Sequence, residues 1–536
     1  MASPSTVPRI AIIGGGSRGH SYARALHTLS SSDPPINATI AAIIDPIPHK
    51  RREIGESYIW GPADRPPHAW EEFDDYKQWI SYEVERRRRV TAGEVLDEEE
   101  HGADGVMICV LDEMHVEVIR ALGEAGLIGD KVQNGTAMHV LCEKPLATTL
   151  EDVMEIYKAS SGPSGLFSIC HVLRYSPHNM LLRDLAVERR VIGDILSVEH
   201  VEPVGWWHFS HSYVRGNWRN SATTAPSLLT KSCHDIDFLL WLLCSPPKSA
   251  AAGYPPHLPS YVSSMGSLKN FRRSRKPHAA GNATNCLSCP IESECMYSAK
   301  KIYLERHLQN GDTGWPVKIV ASDIEDIYRA HGKAAAETRL LETLAEDYDA
   351  STSREEVQKR PWFGRCVWEC DNDVADDQIV TIEWQDDPIS PLTNGNGNSD
   401  TLKGRVAKTA TFHMIAHSLA QCERRGRIYG TGGEISYDSK TITVHDFAKG
   451  TTDTYHPKQM GGGHGGGDQG IVQQYLLAID AVKSGRENVS EAQREYLGCS
   501  LEEVVRSHAM VWAAEDARHE RKSVNWKEWW DRVSER

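Results

Sequence analysis

Short apolar runs and glycines alternate through the first third of the chain. Residues 10–13 are four apolar, mostly β-branched positions, which predicts a short buried strand. Glycines follow at 14, 16 and 19. From 20 to 29 the apolar positions Tyr22, Ala23, Ala25, Leu26 and Leu29 predict a helix. Apolar runs at 40–44, 106–110, 139–142 and 166–170 predict further buried strands, with helices reaching 125 and over 150–159 between them. Such alternation implies a parallel sheet with helices on both faces and ligands at the carboxyl ends of its strands.

The pattern changes from His171 onward. Strands are expected at 195–201, 378–384, 406–413, 427–429 and 441–447, without regular intervening helices. The fold class this predicts is α/β: an N-terminal Rossmann dinucleotide-binding domain over 1–172, then an α+β domain over 173–536 with an open, mainly antiparallel sheet. An insertion over about 245–359 is rich in Pro, Ser and Lys at first and helical over 324–348. The Asn-Gly repeats at 394–400 read as a loop tip. The glycines of 461–467 read either as a close approach of backbone to a partner or as a flexible linker, with Asp468 as N-cap of a helix over 471–482. The tail, 501–530, reads as helical, with Trp512, Trp526, Trp529 and Trp530 as packing residues. The arginines 86–89, flanked by Glu83, Glu85 and the acids of 97–100, predict a solvated helix.

At 536 residues the chain predicts two or more domains. A net charge of −15 argues against nucleic acid and anionic membrane as partners. No run of about 18 apolar residues occurs, and residues 1–9 lack the apolar stretch of a secretory signal, so a cytoplasmic setting is expected. The 12 cysteines then read as mostly reduced core thiols.

Candidate chemistry begins at G-x-G-x-x-G. Gly14 permits the tight turn, Gly16 lets backbone approach a pyrophosphate, and Gly19 allows close helix–strand packing. Asp45 ends the next strand, where an acid accepts hydrogen bonds from an adenosine ribose and repels a 2′-phosphate. That points to NAD, with Arg51 and Arg52 leaving NADP as the lesser alternative. Lys144, at the end of the strand 139–142, stands where a cation can stabilise an alkoxide. His234 and Asp237 lie three apart on a predicted helix, hence on one face, the layout of an acid/base pair. The segment 203–219 mixes aromatic faces with polar tips, and Trp207, His211, Tyr213, Arg215 and Trp218 read as carbohydrate contacts. Cys286, Cys289 and Cys295 form C-x-x-C-x-x-x-x-x-C, which suggests a structural zinc with Cys366 or Cys370 as fourth ligand, the last two lying on one face if 365–370 is a strand.

Taken together, G-G-G-S-R-G at 14–19, Asp45, L-D-E-M-H-V-E at 111–117, V-L-C-E-K-P-L-A at 140–147, R-Y-S-P at 174–177, C-H-D-I-D at 233–237 and H-G-G-G-D at 464–468 resemble the Gfo/Idh/MocA family of nicotinamide-dependent sugar and polyol oxidoreductases. The resemblance covers both expected domains but not the insertion. It implies that Lys144 and His234 act at the substrate carbon. It further implies cofactor contacts from Ser17, Arg18, Val110, Leu111, His115 and Glu143, and substrate contacts from Arg174 and Asp237. The family commonly carries an aspartate four residues before the histidine. Here that position is Thr230, and Lys231 is expected to share the proton relay instead. A homo-oligomer built through the open sheet is implied as well. Two other readings stay open: an NAD-dependent glycosidase working by transient oxidation, and a non-catalytic NAD-binding sensor.

Overall fold

The structure is a computed structural model that describes residues 7–61, 65–97, 99–132, 137–160, 165–250, 254–387, 405–459 and 464–535. The first sheet contains β1 (Arg9–Ile13), β2 (Thr39–Ile44), β3 (Glu72–Phe73), β4 (Gly105–Ile108), β5 (His139–Cys142) and β6 (Phe167–Ile169). Their order is β3-β2-β1-β4-β5-β6, and every pair is parallel. Successive side chains of a strand point to opposite faces. Ile10 and Ile12 of β1 therefore pack with Tyr22, Leu26 and Tyr475, while Ala11 and Ile13 pack with Val118, Ile119 and Val504. Both faces are dry, which is why β1 reads as an unbroken apolar run. The chain leaves β1 at Gly14, between β2 and β4, where the strand order reverses; this is the crevice in which open parallel sheets bind ligands.

The second sheet adds β7 (Ile195–Pro203), β8 (Tyr261–Ser267), β9 (Asp377–Trp384), β10 (Lys408–Ile415), β11 (Arg425–Gly430), β12 (Gly433–Tyr437), β13 (Ile442–Asp446), β14 (Thr451–Tyr455) and β15 (Val524–Asn525). They run β14-β13-β12-β11-β7-β10-β9-β8-β15, antiparallel throughout except for the β7–β10 pair. One face is dry: Val198, Ile382, Phe412 and Ile428 pack against Phe238 and Leu239 of the helix Cys233–Leu243. The other carries Glu199, Glu383, Thr409 and Arg427 into solvent. The Arg86–Arg89 run lies on the helix Tyr76–Thr91 and pairs with Glu83, Glu85, Glu94 and Glu100.

Several local expectations change. The helix Gly467–Lys483, placed by its position in the chain with the second half, covers one face of the first sheet; its Tyr475 hydroxyl donates to the Val106 carbonyl. Its N-cap is Gly466, not Asp468. β8 falls inside the expected insertion but is a full member of the second sheet. Residues 365–370 form no strand; a single bridge joins Asn285 to Arg365. The tail is two helices, Leu501–Glu520 and Trp526–Ser534, separated by β15, and Trp526 stacks with Trp529 and Trp530. The rest of the insertion has its own small core of Ile302, Tyr303, Leu340, Leu344 and Phe363, closed against Trp207. The Asn-Gly tip and glycines 461–463 lie outside the described residues.

Candidate active site

The turn after β1 is shaped by what it cannot hold. Gly14 has φ +103°, and a Cβ there would stand 2.4 Å from the Cys109 carbonyl oxygen. A Cβ on Gly19 would stand 2.0 Å from the Gly14 carbonyl oxygen, so helix and turn touch only because both residues are bare. In front of Gly16 the space is open, and no side chain caps the helix Ser17–Ser30. An open cradle facing a helix N-terminus fits a pyrophosphate. Asp45, buried at the end of β2, is fixed by the N–H groups of Gly15 and Ile47, each 2.8 Å away. Arg51 is held by Glu72 and by the Asp45 carbonyl, both at 2.6 Å. Ser17 is exposed on the first helical turn, and Val110 and Leu111 follow β4 beside Gly14.

The other residues expected at the cofactor turn inward. Arg18 donates to Glu143 at 2.6 Å and to both oxygens of Asp468 at 2.9 and 3.0 Å, and Tyr22 donates to the same Glu143 oxygen. This network pins the glycine turn to the end of β5 and to the helix Gly467–Lys483. Burial alone would raise the Glu143 carboxyl pKa, but Arg18 and the Tyr22 hydroxyl hold it below its ordinary value. His115 is fully buried and its Nδ1 meets the Pro145 carbonyl at 2.8 Å. It supports the turn that carries Lys144 rather than facing the cleft.

Lys144 and His234 come from different halves of the chain and are brought close. Lys144 Nζ donates to the Thr230 carbonyl at 3.1 Å, four residues before His234. His234 is 3% exposed, and neither ring nitrogen has a hydrogen-bond partner among the described residues. Burial, then the Lys144 charge, pushes its pKa well below the ordinary value, so the ring is neutral. Its centroid lies 5.3 Å from that of His464, whose Nδ1 is 3.0 Å from Asp468 Oδ1.

The carboxylate expected to serve His234 is elsewhere. Asp237 accepts two 2.7 Å hydrogen bonds from Arg174 and one from Ser507, all buried. Burial would raise its carboxyl pKa, but Arg174 and then His171 hold it at about 2. Arg174 and Asp237 are thus paired with each other in the interior, 4% and 0% exposed, while Arg174 Nη1 has no hydrogen-bond partner among the described residues. Lys231 Nζ is 2.9 Å from Glu202 and donates to Cys422 Sγ at 3.0 Å, so its recorded partners are these and not His234. Of the aromatic segment, Trp207 packs on Trp315 and His307. His211 meets the Tyr303 hydroxyl at 3.0 Å and stacks on Phe363. Tyr213 is buried between Phe209 and Trp218, and Arg215 is wholly buried among carbonyls and a thiol. Trp218 remains half-buried, its indole N–H donating to Asp112 at 2.8 Å. As for zinc, no three His, Cys, Asp or Glu side chains are already gathered to hold a metal ion among the described residues.

Two groups escaped the sequence reading. His464 has the carboxylate partner wrongly assigned to His234, and the signal was present as His and Asp four apart at a helix start. His208 lies within electrostatic reach of Lys144 and His464 and is lowered well below its ordinary pKa by burial and by Lys231. Over it stands Trp315 of the insertion, ring centroids 4.9 Å apart and 37% exposed. No pattern linked residue 315 to residue 208.

A parallel-sheet half with a glycine cradle and a strand-end acid has the architecture of a dinucleotide-binding domain. Residues 8–168 match the Gfo/Idh/MocA model, an oxidoreductase family with an NAD-binding Rossmann fold; the rest of the chain lies outside that match. Among curated relatives it is similar to 1,5-anhydro-D-fructose reductase of Ensifer adhaerens, 30% identical over 151 residues, which are 28% of this chain and 40% of that protein. It is also similar to inositol 2-dehydrogenase 2 of Paenarthrobacter aurescens (strain TC1), 31% identical over 149 residues, 27% of this chain and 38% of that protein. The chain thus matches about two fifths of these relatives' length. The whole fold resembles that of a levoglucosan dehydrogenase solved in complex with NADH, at TM-score 0.56 and 14% identity, covering 97% of this chain and 98% of that one.

Proposed function

We propose that this chain is an NAD-dependent oxidoreductase acting on a secondary alcohol of a sugar, polyol or glycoside. The observation that carries the reading is the approach of Lys144 to the segment bearing His234, at the strand edge beyond the glycine cradle. Bound NAD supplies the hydride acceptor. Lys144, anchored by the Thr230 carbonyl, stabilises negative charge growing on the substrate oxygen. His234, neutral and with neither ring nitrogen hydrogen-bonded among the described residues, takes the hydroxyl proton. Its depressed pKa makes it a poor place to keep that proton. His464, oriented by Asp468 and 31% exposed, passes it outward in place of Lys231. Asp45 favours NAD over NADP. His208, Trp218 and Trp315 form the substrate wall, with an aromatic face for a sugar ring.

The relatives named for an anhydrofructose reductase and an inositol dehydrogenase support a carbohydrate or cyclitol substrate. No described helix is long and apolar enough to cross a membrane. A cytoplasmic homo-oligomer meeting through the open face of the second sheet completes the proposal. The test is a panel of sugars, polyols and glycosides with NAD and NADP, followed by absorbance of the reduced cofactor. Reduction with at least one member, faster with NAD, is expected. Release of free sugar without net reduction would favour the glycosidase reading, and no turnover at all the sensor.

A further inference from the structure

We propose that Cys286, Cys289, Cys295 and Cys366 hold a metal centre through their thiolates, either one zinc ion or an iron–sulfur cluster, and that it fastens the insertion to the segment carrying Trp207 and Arg215. The proposal stands apart from the catalytic reading.

The backbone presents four thiols to one place. Cys286 N–H donates to the Gly364 carbonyl and Cys366 N–H to the Thr284 carbonyl, both at 2.8 Å, around the Asn285–Arg365 bridge. Two distant segments are thereby clamped side by side. Cys289 closes a tight turn onto the Cys286 carbonyl at 3.2 Å, and Cys295 closes the next onto Ile291 and Glu292 at 3.1 Å. All four cysteines line one small cavity, with Arg215 in its wall. Cys370 does not line it; its thiol donates to the Cys366 carbonyl at 3.3 Å.

Arg215 gives the independent observation. It is 0% exposed. Its guanidinium donates to the Arg365 carbonyl at 2.6 Å, the Tyr297 carbonyl at 2.7 Å and Cys286 Sγ at 3.4 Å, and Nη1 has no partner among the described residues. None of these partners is a carboxylate. A cation taken out of water needs an anion beside it. Four neutral thiols do not supply one. Four thiolates on a zinc ion, or on an iron–sulfur core, carry net negative charge and do. The Ala299 N–H adds a second donor to Cys286 Sγ at 3.4 Å, as expected around a ligand sulfur.

Ligation releases the thiol protons to solvent as the metal–sulfur bonds form. The thiols ring a cavity without already meeting at one point. Zinc would draw them inward, whereas a preassembled iron–sulfur cluster would fill the space between them. Both choices place the helical core of residues 299–345, and hence Trp315, on a fixed base.

The experiment is metal and sulfide analysis of the full chain, purified without oxygen and without added metal. About one zinc per chain without colour, or about four irons with matching sulfide and broad visible absorbance, supports the centre and says which it is. Cys289→Ser and Cys295→Ser should each lose the metal and lower the melting temperature, while Cys370→Ser keeps both and all three still bind NADH. Wild-type protein with neither metal in stoichiometric amount overturns the proposal. So does a Cys370→Ser protein that loses as much metal as Cys289→Ser.

Discussion

The Lys144 ammonium and the Thr230 backbone carbonyl meet at 3.1 Å, joining the end of a parallel strand to the approach of the helix that carries His234. A carbonyl holds the ammonium in place but cannot accept its proton. That contact fixes where the ammonium charge sits. Lys144→Met keeps length and removes that charge. It should lower turnover about 10²–10⁴-fold with NAD affinity nearly unchanged. Steady-state rates and NADH fluorescence titration measure the two, and normal turnover removes Lys144 from the mechanism.

His464 should matter through proton traffic rather than binding. His464→Gln keeps a polar side chain without a titrating ring. Turnover should drop by about 10²-fold, with a flatter pH profile and an unchanged KM. A variant with wild-type turnover across the pH range would return the relay to His234 alone.

Asp45 should set the coenzyme. Asp45→Ser removes the charge facing a 2′-phosphate, a repulsion on the order of several kcal/mol. The ratio of kcat/KM for NAD over NADP should shrink by about tenfold or more. A wild type that already prefers NADP would contradict the role given to the acid.

Arg174 and Asp237 are a structural pair. Leaving one charge buried without the other should cost about 3–5 kcal/mol in either Arg174→Met or Asp237→Asn. The double variant should be less destabilised than the sum, because it leaves no orphan charge. Urea unfolding of the four proteins checks this, and strict additivity would dissolve the pair.

Acid should loosen the fold well before its carboxylates titrate. Burial lowers His171 and His211 to about 3, and His139 and His508 to about 4. His508 is satisfied only when neutral: Nε2 accepts from the Leu146 N–H and Nδ1 donates to the Val504 carbonyl. The unfolded chain takes up protons near pH 6.5 and the folded one does not, so stability is full above that value and falls as pH drops below it. Each such histidine should contribute about 1 kcal/mol of loss between about pH 6.5 and 5.5. Melting temperature followed over that range should decline steadily, and a flat profile would show these rings already charged or exposed.

The glycine turn, Asp45 and Lys144 were placed by local pattern, each at the end of an apolar run. The distant partners of charged residues were not legible. Asp237 looked like the companion of His234, three residues away, yet its hydrogen bonds go to Arg174 and Ser507, 63 and 270 positions off. Trp207 and His211 showed the composition of a sugar site, but the insertion covers them with Trp315, Tyr303 and Phe363. Composition reports what a side chain can do, and packing decides what it meets. Both sheets were visible in outline. Strands β3, β8, β12, β14 and β15 were missed where neighbours rather than periodicity define them.

The helix Gly467–Lys483 also sets a clock. Tyr475 reaches back 369 residues to Val106, so during synthesis one apolar face of the first sheet has only the helix Ser17–Ser30 as partial cover for roughly 20–70 s at ordinary elongation rates. A nascent chain in that interval is exposed to aggregation and chaperone capture. A messenger truncated after the first sheet should then yield an insoluble product rather than a free-standing nucleotide-binding unit.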